Sequence, residues 1–147
     1  MSDDLRTALT DLGLTPEPID AGGLVVVLPS DARGGFPVEI RRTERAVALR
    51  GFLMRRPDRH HLDVYARLLR KNFDARDWRF AVDDHGDVFI TAYVAPDTVA
   101  GDGLDGLLGA ACALVDAVFE GIARTGFDIP PEMSLRPPPP ADGGGAT

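Results

Sequence analysis

Little in this chain lends itself to covalent or redox chemistry. It has one cysteine, Cys112, one tryptophan, and a single lysine, Lys71. Its three serines, Ser2, Ser30 and Ser134, fall near the ends or in a loop. One cysteine closes no internal disulfide, so a cytoplasmic protein is expected. The β-branched run from Leu24 to Leu28 is only of strand length, so no membrane span is expected. The start, Met1-Ser-Asp-Asp, is acidic where a signal peptide would be basic and then apolar. Phosphate-cradling glycines between a strand and a helix are also missing. Gly101-Asp-Gly103 is too short for that task and is acidic where a phosphate would sit.

The 147 residues are 44% hydrophobic and 27% charged, which is ordinary for one globular domain. A domain of this size buries roughly two-thirds of its unfolded surface, so it needs no staple. The net charge of -7 is unevenly spread. Residues 41–79 hold twelve basic and five acidic side chains, a local charge of +7 that leaves -14 for the remainder. An anionic partner could meet the basic segment through Arg41, Arg42, Arg45, Arg55, Arg56 and Arg59. The plainer expectation is that the acidic segments lie against it. No aromatic residues interleave with these arginines as a stacking platform for single strands requires.

Periodicity gives the order α-β-β-β-α-β-β-α. Leu5, Ala8, Leu9 and Leu12 share a helical face that ends at Gly13. Leu24–Leu28, Phe36–Arg41 and Ala46–Met54 read as strands. Pro57-Asp58 opens a second helix, with Asp58 as the expected N-cap and Leu62, Tyr65, Ala66, Leu69 and Phe73 on one face. Asp63 with Arg67, and Arg70 with Asp74, form i,i+4 pairs on the opposite, solvated face. Trp78–Val82 and Asp87–Val94 form a hairpin turned by Asp83-Asp-His-Gly86. Asp102 is placed to cap a last helix reaching Arg124. An antiparallel sheet with helices on one side, an α+β fold, satisfies this order. One domain is expected over residues 1–128. Residues 129–147, with Arg136-Pro-Pro-Pro-Pro140 and Gly143-Gly-Gly145, read as a disordered Pro/Gly-rich tail.

The last helix sorts into three stripes at 100° per residue. A bulky face holds Leu104, Leu107, Leu108, Ala111, Leu114, Val115, Val118, Phe119 and Ile122. Gly106, Ala110, Ala113, Ala117 and Gly121 form a stripe of small residues, open to close approach by another helix, either the chain's own or a partner's. Asp105, Gly109, Cys112, Asp116 and Glu120 form an acidic strip. Carboxylates beside Cys112 disfavour its thiolate, so it is a poor nucleophile. His60 and His61 diverge by 100° on a helix and cannot share a metal as i,i+4 histidines do. Asp83, Asp84, His85 and Asp87 lack the spacing of an EF-hand loop. A hairpin turn accounts for all four, because such residues tolerate positive φ and bond their own backbone. No catalytic residue, cofactor or metal is expected.

Three segments carry a family resemblance. Leu68-Leu-Arg-Lys-Asn-Phe73, Trp78-Arg-Phe-Ala-Val-Asp-Asp-His-Gly-Asp-Val-Phe-Ile90, and Leu104-Asp-Gly-Leu-Leu108 with Val115-Asp116 resemble the bacterial YbjN-type domain, in the type III secretion chaperone-like superfamily. The likeness runs roughly from Leu5 to Phe127. It implies a small α+β protein, often dimeric, that binds other proteins and performs no catalysis. The glycines of the final helix and the Pro/Gly-rich tail depart from the pattern. The corresponding expectation is a chaperone-like or regulatory adaptor with a protein partner, forming a homodimer and not binding a membrane or nucleic acid. Its binding surface is expected at Phe52, Met54, Phe89 and Tyr93 on the sheet face away from the helices, and at Gly106, Ala110, Ala113 and Ala117 on the last helix.

Overall fold

Alternation along the strands divides their side chains between two faces, and among the described residues only one face receives helices. The computed structural model describes residues 2–20 and 22–127. Its elements are α1 (Ser2–Asp11), β1 (Glu17–Asp20), β2 (Gly23–Leu28), β3 (Phe36–Arg42), β4 (Val47–Met54), α2 (His61–Asp74), β5 (Trp78–Val82), β6 (Val88–Val94), a short 3-10 turn (Pro96–Val99) and α3 (Gly103–Gly126). The strands form one antiparallel sheet in the order β1-β2-β3-β4-β6-β5. This is the α+β order expected from the sequence, with β1 added at one edge. β1 is four residues long, exposed throughout and contains Pro18, which only an edge strand tolerates. The expected boundary at residue 128 and the tail beyond it lie outside the described residues.

The inward set includes Leu24, Val26, Val38, Ile40, Leu49, Leu53, Val88 and Ile90, all 5% exposed or less. It shares one core with Leu104, Leu107, Ala111, Val115, Val118, Phe119 and Ile122 of α3 and with Leu5 and Leu9 of α1. Gly51 occupies an inward position. A Cβ there would lie 3.0 Å from Ile90 and 3.2 Å from Val38, so its absence makes room for the fully buried Phe36 beside it. Trp78 is completely buried at the start of β5, and its indole N–H donates to the Leu107 carbonyl at 2.8 Å, joining sheet to helix. The 24-residue α3 does have the length and mean hydropathy (1.7) of a membrane span, contrary to the sequence expectation. Here its bulky face is spent on the sheet.

The ends of the helices are built differently from one another. At the end of α1, Gly13 takes φ 86 and the Leu14 N–H reaches back to the Leu9 carbonyl at 3.1 Å, as a left-handed C-terminal turn requires. Asp58 does not cap α2. Its carboxylate pairs with Arg55 at 2.8 Å and its N–H donates to the Gly126 carbonyl, while His60 (φ 55) is the residue before the helix. Asp102 sits at the start of α3 without a side-chain capping bond.

The expected inner face of α2 is also overturned. α2 buries Val64 and Leu68, whereas Leu62, Leu69 and Phe73 are 86%, 67% and 90% exposed. The i,i+4 pairs Asp63–Arg67 and Arg70–Asp74 are not formed. Arg67 instead lies over Gly121 of α3, where the missing Cβ leaves it room, and Asp63 lies 3.8 Å from His60. Two ties hold α2 in this orientation. Asn72 exchanges both hydrogen bonds with the Phe80 backbone, at 2.7 and 3.0 Å, so its amide acts as a strand partner at the open edge of β5. The Tyr65 hydroxyl donates to the Gly86 carbonyl at 2.9 Å.

Candidate protein-binding surface

The outer sheet face divides into an apolar end and a polar middle. At the apolar end, Phe52, Phe89 and Ala81 stand opposite one another across β4, β6 and β5. The two rings meet edge to face, 5.6 Å between centroids at 78°. Val27, 60% exposed on β2, and Pro37 on β3 form a neighbouring cross-strand pair. In the middle, Glu39, Arg50, Thr91 and Arg79 form a row over four strands. This row and the adjoining Arg41 and Tyr93 line an open depression of about 680 Å³. Tyr93 is 77% exposed.

Met54 does not belong to this face. The register slips between Phe52 and Met54, so Leu53 and Met54 both turn inward and Met54 is completely buried. A bulge of this kind breaks the alternation from which the outward position was expected. Of the sheet residues named from sequence, Phe52, Phe89 and Tyr93 share the outer face, with the two phenylalanines half-buried.

On the helical side, Gly106, Ala110, Ala113 and Ala117 are all exposed. α2 meets the C-terminal end of α3, with Arg67 over Gly121 and Val64 beside Gly126, where Pro57 of the preceding loop also lies. Cys112 is half-buried. Burial first and Asp116 second push its thiol above the usual value, which suits packing and not nucleophilic attack. Asp83 accepts from the backbone N–H groups of His85 and Asp87 at 2.9 and 3.0 Å, and Gly86 takes φ 86. The hairpin turn therefore accounts for the aspartate cluster. Asp87 is buried and accepts from the Arg56 N–H at 2.8 Å.

The basic segment is dispersed by the fold. Arg41, Arg42 and Arg45 lie at one end of β4, and Arg55, Arg56 and Arg59 lie beyond the other, some 25 Å away at about 3.3 Å per residue. Arg41 is paired with Asp20 through bonds of 2.8 and 2.9 Å, and that pairing draws the Asp20 carboxyl down to about 2. Arg55 pairs with Asp58 and lies 4.6 Å from the Phe127 ring centroid.

Two anchoring residues escaped the sequence reading. Arg33 is buried. Its guanidinium donates to the Leu53 and Gly35 carbonyls, and burial lowers its value to about 10. Asp116 accepts from the Ser30 hydroxyl at 2.5 Å and the Ala32 N–H at 3.2 Å, pinning the β2–β3 loop to α3. Neither has a signal in local periodicity, because each acts across long sequence separation. The apolar stripe on α2 has the periodicity of a core face, yet the structure leaves it exposed.

With three helices on one face of an antiparallel sheet, the chain has a fold similar to that of type III secretion chaperones. Solved structures similar to the chain include the Pseudomonas aeruginosa type III secretion complex ExoU–SpcU (TM-score 0.57, 20% identity, 78% of this chain and 93% of that one). The Yersinia pestis secretion chaperone SycH, solved with a fragment of YscM2, is similar over 80% of this chain and 98% of its own (TM-score 0.58, 18% identity). Within this fold the chain belongs to the YbjN family, whose profile matches residues 2–124 and is described as a "putative bacterial sensory transduction regulator". YbjN of E. coli matches with a TM-score of 0.62 and 15% identity over 82% of this chain and 93% of its own. Uncharacterised proteins of Mycobacterium tuberculosis and Mycobacterium bovis are 30% identical over 104 residues, 71% of this chain. The chain spans 57% of the length of those relatives.

Proposed function

We propose that the chain is a non-enzymatic protein-binding domain, a chaperone-like or regulatory adaptor, that seats a partner segment on the outer face of its sheet. One observation carries this reading. Among the described residues the sheet is helix-covered on one face only, and the other offers the Phe52–Phe89 pair and Val27 next to the hydrogen-bonding row of Arg50, Thr91 and Arg79. Apolar contacts flanked by polar groups suit a protein ligand. The fold's occurrence in SpcU and SycH, both solved with protein partners, supports it. The single cysteine fits a reducing compartment such as the cytoplasm.

The test compares the tagged chain with a Phe52→Ser, Phe89→Thr variant, each recovered from the source organism with and without nuclease and at low and moderate salt. The expected result is a defined protein that accompanies the wild type and is lost from the variant, while the variant still unfolds cooperatively. Undiminished capture by the variant overturns the outer-face assignment. Recovery of nucleic acid alone, released at moderate salt, overturns the protein-binding reading, because phosphate contacts weaken steeply with salt.

A further inference from the structure

We infer that the partner segment seated on the outer sheet face is extended and carries an acidic side chain two residues from an apolar one, with the apolar residue on Phe52 and Phe89 and the acid between Arg50 and Arg79. The inference rests on the reading of that face as the binding surface and adds the chemistry that the surface selects.

The strand register sets the spacing. Phe52 and Phe89 are paired across β4 and β6, and Arg50 and Thr91 are paired two residues away on the same two strands. The two rows are therefore about 6.8 Å apart at roughly 3.4 Å per residue. An extended segment lying along the strands turns every second side chain toward the sheet at that same spacing. A residue seated on the phenylalanines thus places the side chain two positions on over Thr91. Arg50 stands one strand to one side of Thr91, and Arg79 one strand to the other.

Neither arginine is committed to an acid. Of the three arginines lining the depression, Arg41 is held by Asp20 at 2.8 Å and lies 3.5 Å from Glu39. Glu39 is opposite Arg50 in the register, yet its carboxylate is drawn to Arg41. Arg50 makes no ion pair among the described residues. Arg79 donates to carbonyls only, its Nη1 reaching Ala75 at 2.8 Å and Trp78 at 2.7 Å. Those bonds hold the guanidinium in place and leave its Nε and Nη2 protons for an acceptor. Two cations without a carboxylate, on either side of a hydroxyl and next to an aromatic pair, select an anionic group beside an apolar one. Asp77 and Tyr93 line the same depression two residues beyond Arg79 and Thr91. An acid four positions from the apolar residue would meet the like charge of Asp77, which disfavours that alternative spacing.

A phage-displayed library of random peptides, panned on the tagged chain, tests the inference. Peptides recovered by the wild type and lost by the Phe52→Ser, Phe89→Thr variant report on the outer face. They are expected to carry Asp or Glu two residues from Leu, Ile, Val or Phe. One such peptide, labelled for fluorescence anisotropy, is expected to bind Arg50→Glu about tenfold more weakly than wild type. Changing its acid to Lys should weaken binding to the wild type and restore binding to Arg50→Glu. Arg50 is exposed, and a retained thermal transition confirms that the variant is folded. Outer-face peptides with no acid at that spacing, or with an affinity indifferent to Arg50→Glu, overturn the inference and leave the reading of the outer face standing. Recovery of no peptide that depends on Phe52 and Phe89 overturns both.

Discussion

The residues that carry the family likeness are fasteners. Asn72 closes the leucine-rich segment of α2 by pairing with both backbone groups of Phe80, a contact that also blocks the open edge of β5. Asn72→Ala leaves that N–H and C=O without their partner and should cost about 1–3 kcal/mol in urea unfolding. Asn72→Asp, of nearly the same size, keeps one acceptor but sets a carboxylate oxygen against the Phe80 carbonyl. It should also destabilise, which separates hydrogen bonding from packing. Asp20 and Asp116 give the acid side of the stability profile. The guanidinium of Arg41 lowers Asp20 to about 2, and the Ser30 hydroxyl lowers Asp116. Both carboxyls bind protons more weakly folded than unfolded. Their contribution is therefore complete above the ordinary carboxylate range and is lost as pH falls toward the folded values. Melting temperatures measured from pH 6 to pH 2.5 should fall less steeply for the Asp20→Asn, Asp116→Asn double variant than for wild type. The sequence names these residues but not their bonds. Asp116 and Ser30 are 86 positions apart, and no periodicity reports such a contact.

At the scale of elements, period was legible and orientation was not. The wide apolar face of α3 spans most of its circumference, so any reasonable rotation buries it, and the expectation held for Leu104, Leu107, Ala111, Val115 and Ile122. α2 has a narrow stripe that can serve a core or a partner equally well, and pattern alone assigned it to the core. The decision lies in Val64 and Leu68, which the sheet and α3 enclose. In β4 a single slip of register moved Met54 across the sheet while leaving Phe52 in place. The small stripe of α3 gives a prediction at the same scale. An added Cβ at Gly106 would have nothing within 4 Å. Replacing it by alanine should stabilise α3 by about 0.5–1 kcal/mol, read as a higher urea midpoint with an unchanged slope. If this stripe seats a close-packed helix, the same substitution will weaken that association, so the pair of measurements separates an idle surface from a used one.

At the scale of the whole molecule, the fold separates two exposed apolar surfaces. Phe52 and Phe89 lie on the open face of the sheet, and Leu62, Leu69 and Phe73 of α2 belong to the helical layer on the other face. No side chain is shared between them, so substitutions on the two surfaces should act independently in energy. Phe52→Ser with Phe89→Thr should abolish capture of a partner seated on the sheet. Leu69→Lys, on the far side of the core, should leave the affinity for that same partner within about twofold of wild type, as measured by titration of each variant. Equal loss for both variants would mean that the partner also reaches the helical layer, or that the two faces are coupled through the core.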